Sequence, residues 1–276
     1  MSKVHLAPSR KDIARHLELA LQHGCGLELQ AFSNPEVLNN SWQTLLSEYK
    51  ILLKDFPGSI SCHGAFFDMY AASFDPRVVE LTLERYLLNL DIAAELGASQ
   101  VVFHTNFLPM IRTEFYRHEW LKNQRDFLLK LEPEAAQRGL RVAIENMWDP
   151  DPHLLFELFE GLATPHIGVC LDVSHAYLYR FNRQQTVEFW LQTLEPYVIH
   201  VHMNNTRGVI DEHLALNAPG SALDYTALLP LLAALERAAV LVVEIDEPDA
   251  AEQSLQFIRR ILGPAFCASG EIIPSA

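Results

Sequence analysis

The chain has 276 residues, 49% of them hydrophobic and 20% charged, with 12 glycines and 15 prolines. At roughly 150 residues per domain this is one large domain or two small ones, and the composition excludes disordered, collagen-like and disulfide-scaffold proteins. Thirty-five acidic against 21 basic side chains leave a formal charge of -14, so the overall field repels nucleic acid and anionic membranes, although a local basic groove or bound cations can reverse its sign in one cleft.

Cys25, Cys62, Cys170 and Cys267 form no C-x-x-C pair and read as buried thiols. The first eight residues, Met1 to Pro8, lack an apolar signal-like run, and no stretch of about 18 apolar residues occurs. A cytoplasmic protein without a membrane partner is expected; no feature specifies an oligomeric state.

Short apolar runs of strand character recur along the chain, alternating with stretches of helical periodicity. In chain order, strands are expected at 4–7, 27–32 and 60–63, then a helix at 77–96 closed by Gly97. A strand at 101–104 precedes a helix at 114–138 closed by Gly139, and strands follow at 141–145 and 168–172. A helix at 184–194, a strand at 198–202, a helix at 227–237, a strand at 240–245 and a helix at 250–261 complete the pattern. Eight β/α units in about 260 residues have the size of a (β/α)8 TIM barrel in the α/β class. One domain over 1–276 is expected, with the barrel at about 3–263 and a C-terminal tail at 264–276. The competing doubly wound sheet would need a glycine-rich turn after its first strand; Gly24-Cys25-Gly26 precedes a strand and lacks the third glycine.

In such a barrel the chemistry sits at the C-terminal strand ends. Those ends carry His63, His104, Glu145, Asp172 with His175 just beyond, His202 and Glu244. Each alone reads as a rim residue, but carboxylates and imidazoles converging in one mouth call for a cation, because buried charge must be paired or coordinated. His200 and His202 share a strand face about 6.6 Å apart, so His202 reaches the rim and His200 reads as a core or supporting histidine. His175 is either a ligand or a partner to one. Asp211-Glu212-His213, on the loop after the seventh strand, reads either as solvated surface or as part of a second metal cluster. Phe66, Phe67, Tyr70 and Phe74 after His63 read either as a lid or as packing beneath a loop.

Taken together, Cys62-His63-Gly64-Ala65-Phe66, Val101-Val102-Phe103-His104, Ile144-Glu145-Asn146, Leu171-Asp172-Val173-Ser174-His175, His200-Val201-His202 and Val243-Glu244-Ile245 resemble the xylose-isomerase-like TIM barrels. That family includes sugar isomerases and epimerases and, as a divergent branch, the endonuclease IV type of abasic-site nuclease. The resemblance implies one divalent ion, Mn²⁺, Mg²⁺ or Zn²⁺, held by Glu145, Asp172, His202 and Glu244. It also implies Glu145 and Glu244 as the catalytic acid and base, acting on a small ketose or related carbohydrate. His63, His104, His175, Asp211 and His213 are then secondary metal or substrate groups. Phe66, Trp148 and Arg207 are candidate substrate contacts, Arg207 standing one residue out of the expected spacing.

The nuclease branch implies a different use of similar residues: three zinc ions on His63, His104, Glu145, Asp172, His175, His202, Asp211, His213 and Glu244, in a phosphodiesterase. Against that branch stand Asn146-Met147-Trp148-Asp149-Pro150, where nucleases carry a small glycine-containing loop, and Asn217-Ala218-Pro219-Gly220-Ser221 in place of G-x-G. The expected partition is geometric. Glu145, Asp172, His202 and Glu244 end four adjacent strands and can meet at one point, while His63 and His104 approach from the side.

Overall fold

Successive side chains of a strand point to opposite faces, so a closed sheet buried on both sides needs two apolar sets or a reason to do otherwise. The computed structural model describes residues 3–235, 239–264 and 266, and in it eight parallel strands close into a barrel in sequence order, β8 pairing with β1. They are β1 (Val4–Leu6), β2 (Gly26–Leu29), β3 (Ile60–His63), β4 (Gln100–His104), β5 (Arg141–Glu145), β6 (Ile167–Asp172), β7 (Val198–Met203) and β8 (Val240–Val243).

Ten helices occur among the described residues: α1 (Ile13–His23), α2 (Pro35–Asn40), α3 (Trp42–Leu52), α4 (Pro76–Glu95), α5 (Glu114–Gln137), α6 (His153–Phe159), α7 (Val173–Leu178), α8 (Val187–Leu194), α9 (Tyr225–Ala233) and α10 (Pro248–Leu262). Their starts are written locally. The side chains of Asp75, Thr113, Thr186, Asp224 and Glu247 accept backbone N–H bonds from the first turns of α4, α5, α8, α9 and α10. Capping by Thr186 is why α8 begins later than periodicity alone implies.

The outward strand residues, including Leu27, Val101, Phe103, Ile144, Leu171, Val201 and Leu241, join helix residues such as Leu19, Leu90 and Leu128 in one large apolar core. Among the described residues two small apolar groups lie inside the barrel: Val102, Ala143, Cys170 and Ile199, and Ala7, Val240 and Val242. The rest of the interior is polar, with His5, Glu28, Ser61, Gln100 and His200 all buried. A register shift between Val169 and Cys170 on β6 pairs Val169 with Val198 and Cys170 with His200. Ile199 is thereby the extra residue of β7, and both it and His200 contribute to the interior.

Two strands are shorter than the apolar runs suggest. β2 stops at Leu29, and Ala31–Ser33 form a 3₁₀ turn closed by Ser33 N–H to the Gln30 carbonyl at 3.0 Å. β8 stops at Val243, where Glu244 leaves the ladder after donating its N–H to Met203. The helix expected at 227–237 ends earlier, at Ala233, with Ala234 closing its last turn; Cys267 and most of the tail expected at 264–276 lie outside the described residues. No helix among the described residues is long and apolar enough to cross a membrane.

Candidate metal centre

The six strand-end residues meet at one mouth. His63, His104, Glu145, Asp172 and His202 are the last or next-to-last residues of β3 to β7, and Glu244 directly follows β8; all six are buried. His175 joins them because Asp172 caps α7, its Oδ1 accepting the His175 N–H at 2.5 Å, which folds the imidazole back over the strand end. Asp211 and His213 are brought in by the loop after β7, pinned by antiparallel pairing of Asn205 with Leu214. His213 adopts φ 51°, a left-handed conformation uncommon outside glycine, and its Nδ1–H donates to the Glu244 carbonyl at 2.9 Å.

Distances divide the nine residues into three connected groups. His63 and His104 face each other Nε2 to Nε2 at 3.1 Å and stand 3.4 and 3.2 Å from Glu145 Oε2. His202 Nδ1 lies 3.3 Å from Glu145 Oε2 and 3.3 Å from Glu244 Oε2, and ligand atoms of Asp172, His202 and Glu244 all lie within 4.8 Å of one another. Asp211 Oδ2 stands 3.1 Å from both His175 Nε2 and His213 Nε2. Glu145 belongs to the first two groups and touches the third, its Oε1 being 3.2 Å from His175 Nδ1.

A test of whether these residues suit a cation comes from their unsatisfied atoms. Glu145 Oε2, Glu244 Oε2 and His202 Nδ1 are buried and none has a hydrogen-bond partner. Natively buried polar atoms are nearly always paired, and atoms about 2.1 Å from a common ion stand roughly 3.0–3.4 Å apart. The donor set fits a divalent cation.

Electrostatics lead the same way. Burial raises the Glu145 carboxyl, and the neighbouring imidazoles of His202, His104 and His175 outweigh it and hold the group well below the carboxylate range. Burial dominates for Asp172, pushing it to about 7. His202, His175 and His213 are disfavoured as cations by burial, yet Cys170 with the surrounding carboxylates raises His202, and carboxylates raise His175 and His213, the last to about 10. The cluster calls for positive charge.

Above it opens a cavity of about 740 Å³ whose wall includes His63, His104, Glu145, His175, His213 and Glu244. Phe66 lies over His104 with ring centres 4.8 Å apart, and Phe67 continues the wall. Trp148 and Arg207 do not line the cavity. Trp148 is diverted by a turn in which the Asp149 carboxylate accepts the Met147 N–H at 2.8 Å, leaving Met147 at the wall. Arg207 turns away to pair with Glu212 at 2.5 Å and is largely exposed. Neither of these two expected substrate contacts is therefore among the side chains that wall this cavity. Sequence reasoning also missed Glu28, beneath His202, and Gln30, whose Nε2 donates to Glu244 Oε1 at 3.0 Å. The pattern Gly26-Leu27-Glu28-Leu29-Gln30 held the signal, polar residues alternating with leucines on a strand otherwise read as apolar.

Asp149 supplies a stability test. Burial raises its carboxyl to about 6 against hydrogen bonds from Thr105, at 2.6 Å, and Met147. A carboxyl raised on folding binds its proton more tightly in the folded state, so stability is greatest below about pH 4 and falls as pH rises through 6, by at most roughly 3 kcal/mol. Urea unfolding of chelator-treated Asp149→Asn is expected to show a gain of about 2 kcal/mol at pH 8 that vanishes near pH 4. Equal pH slopes in parent and variant would contradict this.

Comparison with known proteins places the geometry in context. The family model described as "Xylose isomerase-like TIM barrel" matches residues 9–261. An uncharacterised protein of Methanocaldococcus jannaschii is 30% identical over 178 residues, which are 61% of this chain and 59% of that relative. A Thermus thermophilus protein soaked with zinc chloride superposes with a TM-score of 0.77 at 29% identity, covering 95% of this chain and 98% of the other. A D-tagatose 3-epimerase-like protein superposes with a TM-score of 0.78 at 20% identity, covering 94% and 97%.

Proposed function

This chain belongs to the xylose isomerase-like TIM barrel family, and on that basis we propose that it is a divalent-metal-dependent isomerase or epimerase of a small ketose or related carbohydrate. The observation that carries the reading is the pair of glutamate oxygens, Glu145 Oε2 and Glu244 Oε2, flanking the same nitrogen of His202 at 3.3 Å on the cavity floor. Glu145, Asp172, His202 and Glu244 would hold the principal ion, Mn²⁺, Mg²⁺ or Zn²⁺. That ion supplies a Lewis acid that polarises a ketose carbonyl and its neighbouring hydroxyl.

The chain's own residues do the rest. One glutamate carboxylate takes the proton from the carbon beside the carbonyl, and the other returns a proton to the opposite face or to the neighbouring carbon. Gln30 steadies Glu244, leaving one of its oxygens for the substrate side. His63 and His104 present Nε2 to sugar hydroxyls from the flank, while Phe66 and Phe67 wall off water. Ser9, Ser33, Asn34, Asn40 and Ser41 give the outer cavity hydroxyl and amide groups for further hydroxyls. Apart from histidines, Arg10 is the one cationic side chain among the described residues lining the cavity, which suits a neutral sugar better than a polyanion. The epimerase-like neighbour adds support at the level of the fold.

A second reading has its own observation. Because His175, Asp211 and His213 converge beside the His63, His104 and Glu145 group, the cluster also has the residues for three zinc ions in a phosphodiesterase of the endonuclease IV type. Elemental analysis separates the two. One ion per chain, with interconversion of ketoses in a broad panel, is the expected result. Three zinc ions per chain, with cleavage of an abasic-site duplex and no sugar turnover, would replace it with the second reading.

A further inference from the structure

Three imidazoles of the cluster are oriented by the backbone. A carbonyl only accepts, so Nδ1 of His63 donates to Gly64 at 3.0 Å, that of His175 to Asn146 at 3.0 Å and that of His213 to Glu244 at 2.9 Å. Each therefore offers Nε2 to the carboxylates around it. His202 is turned the other way. Its Nδ1 faces Glu145 and Glu244, and its Nε2 points down the barrel to Glu28 Oε1 at 3.0 Å.

Glu28 is fully buried in the middle of β2, and its other oxygen meets His200 Nε2 at 2.7 Å and the Ser61 hydroxyl at 3.1 Å. Below His200 the chain of contacts continues through Gln100, which meets His200 Nδ1, to Arg141, whose Nη2 donates to Gln100 Oε1 at 2.9 Å. An arginine only donates, which fixes every direction above it. Gln100 Oε1 accepts and its Nε2 donates, so His200 Nδ1 accepts and the His200 proton sits on Nε2, 2.7 Å from Glu28 Oε2. An ionised carboxylate has only acceptors, so the ring nitrogen of His202 that faces it at 3.0 Å, Nε2, is the one assigned the proton. Nδ1 of His202 is then left for the centre.

We propose that Glu28 is a positioning residue of this centre, holding the His202 ring with its proton on Nε2 and delivering Nδ1 between Glu145 and Glu244. The proposal rests on the reading of His202 as a metal ligand. It accounts for a carboxylate at a depth where an apolar side chain would cost far less to bury. The geometry makes a glutamine a poor substitute. Its oxygen accepts from only one imidazole, and its amide then meets the other imidazole's N–H donor to donor.

The test compares the parent with Glu28→Gln. Titration calorimetry with Mn²⁺ or Zn²⁺ is expected to show about 10–100-fold weaker binding in the variant, with the circular dichroism of a folded barrel. In ¹⁵N-histidine-labelled protein, the parent is expected to show a slowly exchanging proton on His202 Nε2 that exchanges rapidly in the variant. Ser61→Ala, which leaves both imidazole contacts to Glu28 in place, should bind metal within about twofold of the parent. A Glu28→Gln protein with parental affinity and a protected Nε2 proton would overturn the proposal. If that variant does not fold, Glu28→Asp, too short to reach both rings, is read by the same two signals. A parent that binds no ion would instead defeat the reading of His202 as a ligand, and the proton on Nε2 would still decide the part played by Glu28.

Discussion

Glu145→Gln is expected to lower turnover of any ketose substrate by about 10³-fold, roughly 4 kcal/mol in the barrier, and to weaken the principal ion as well. The side chain is isosteric, so the effect is chemical. Oε2 of Glu145 is within 3.4 Å of His63, His104 and His202, and Oε1 is 3.2 Å from His175, so one carboxylate serves the whole cluster. An amide offers neither the charge that balances these imidazoles nor a base for the proton on carbon. Stopped-time assays with saturating metal separate the two losses. Activity restored by excess metal would mean that Glu145 only coordinates, and would remove it from proton transfer.

The second large effect concerns the flank. The double variant His63→Ala with His104→Ala is expected to keep the principal ion and lose about 100-fold in kcat/KM, near tenfold for each hydrogen bond to substrate. Among the described residues the ion pairs of both rings are with Glu145 and none is with Glu244 or Asp172, while His63 also stands beside His202, ring centres 5.8 Å apart. Dialysed parent and variant should therefore carry equal metal. Loss of the principal ion from the variant would overturn the partition between the residues that hold it and those that line the mouth. Loss of one ion in three would favour the phosphodiesterase reading.

The strand ends were legible because a polar residue closes an apolar run at His63, His104, Glu145, Asp172 and His202, and a barrel gathers such ends at one rim. The same logic failed where an apolar run outlasts its strand. Ala31 and Phe32 extend the pattern of β2, yet the chain has already turned into 3₁₀ geometry there and Phe32 packs edge-on against Tyr49 of α3 at 5.6 Å. Glu28 was hidden for the opposite reason. A charge between two leucines in mid-strand contradicts an apolar barrel interior, and only the closure of the barrel, which sets β2 to face β7 across the interior, reveals that His200 and His202 receive it. Loop side chains are the least legible of all. The distance of Arg207 from His202 along the chain says nothing of its direction, which Glu212, five residues on, decides. Asp211 and His213 could be read only as alternatives, because the bridge from Asn205 to Leu214 that folds them inward is a tertiary contact.

The central claim is proton transfer at carbon between Glu145 and Glu244, and solvent exchange tests it most directly. Metal-loaded protein is incubated with a broad panel of ketoses in deuterium oxide and the sugars are read by proton NMR and mass. The account predicts deuterium at the carbon beside the carbonyl in at least one sugar, with exchange abolished in Glu145→Gln and in Glu244→Gln. Fully loaded protein that leaves every sugar in the panel unlabelled while cleaving an abasic-site duplex would contradict it.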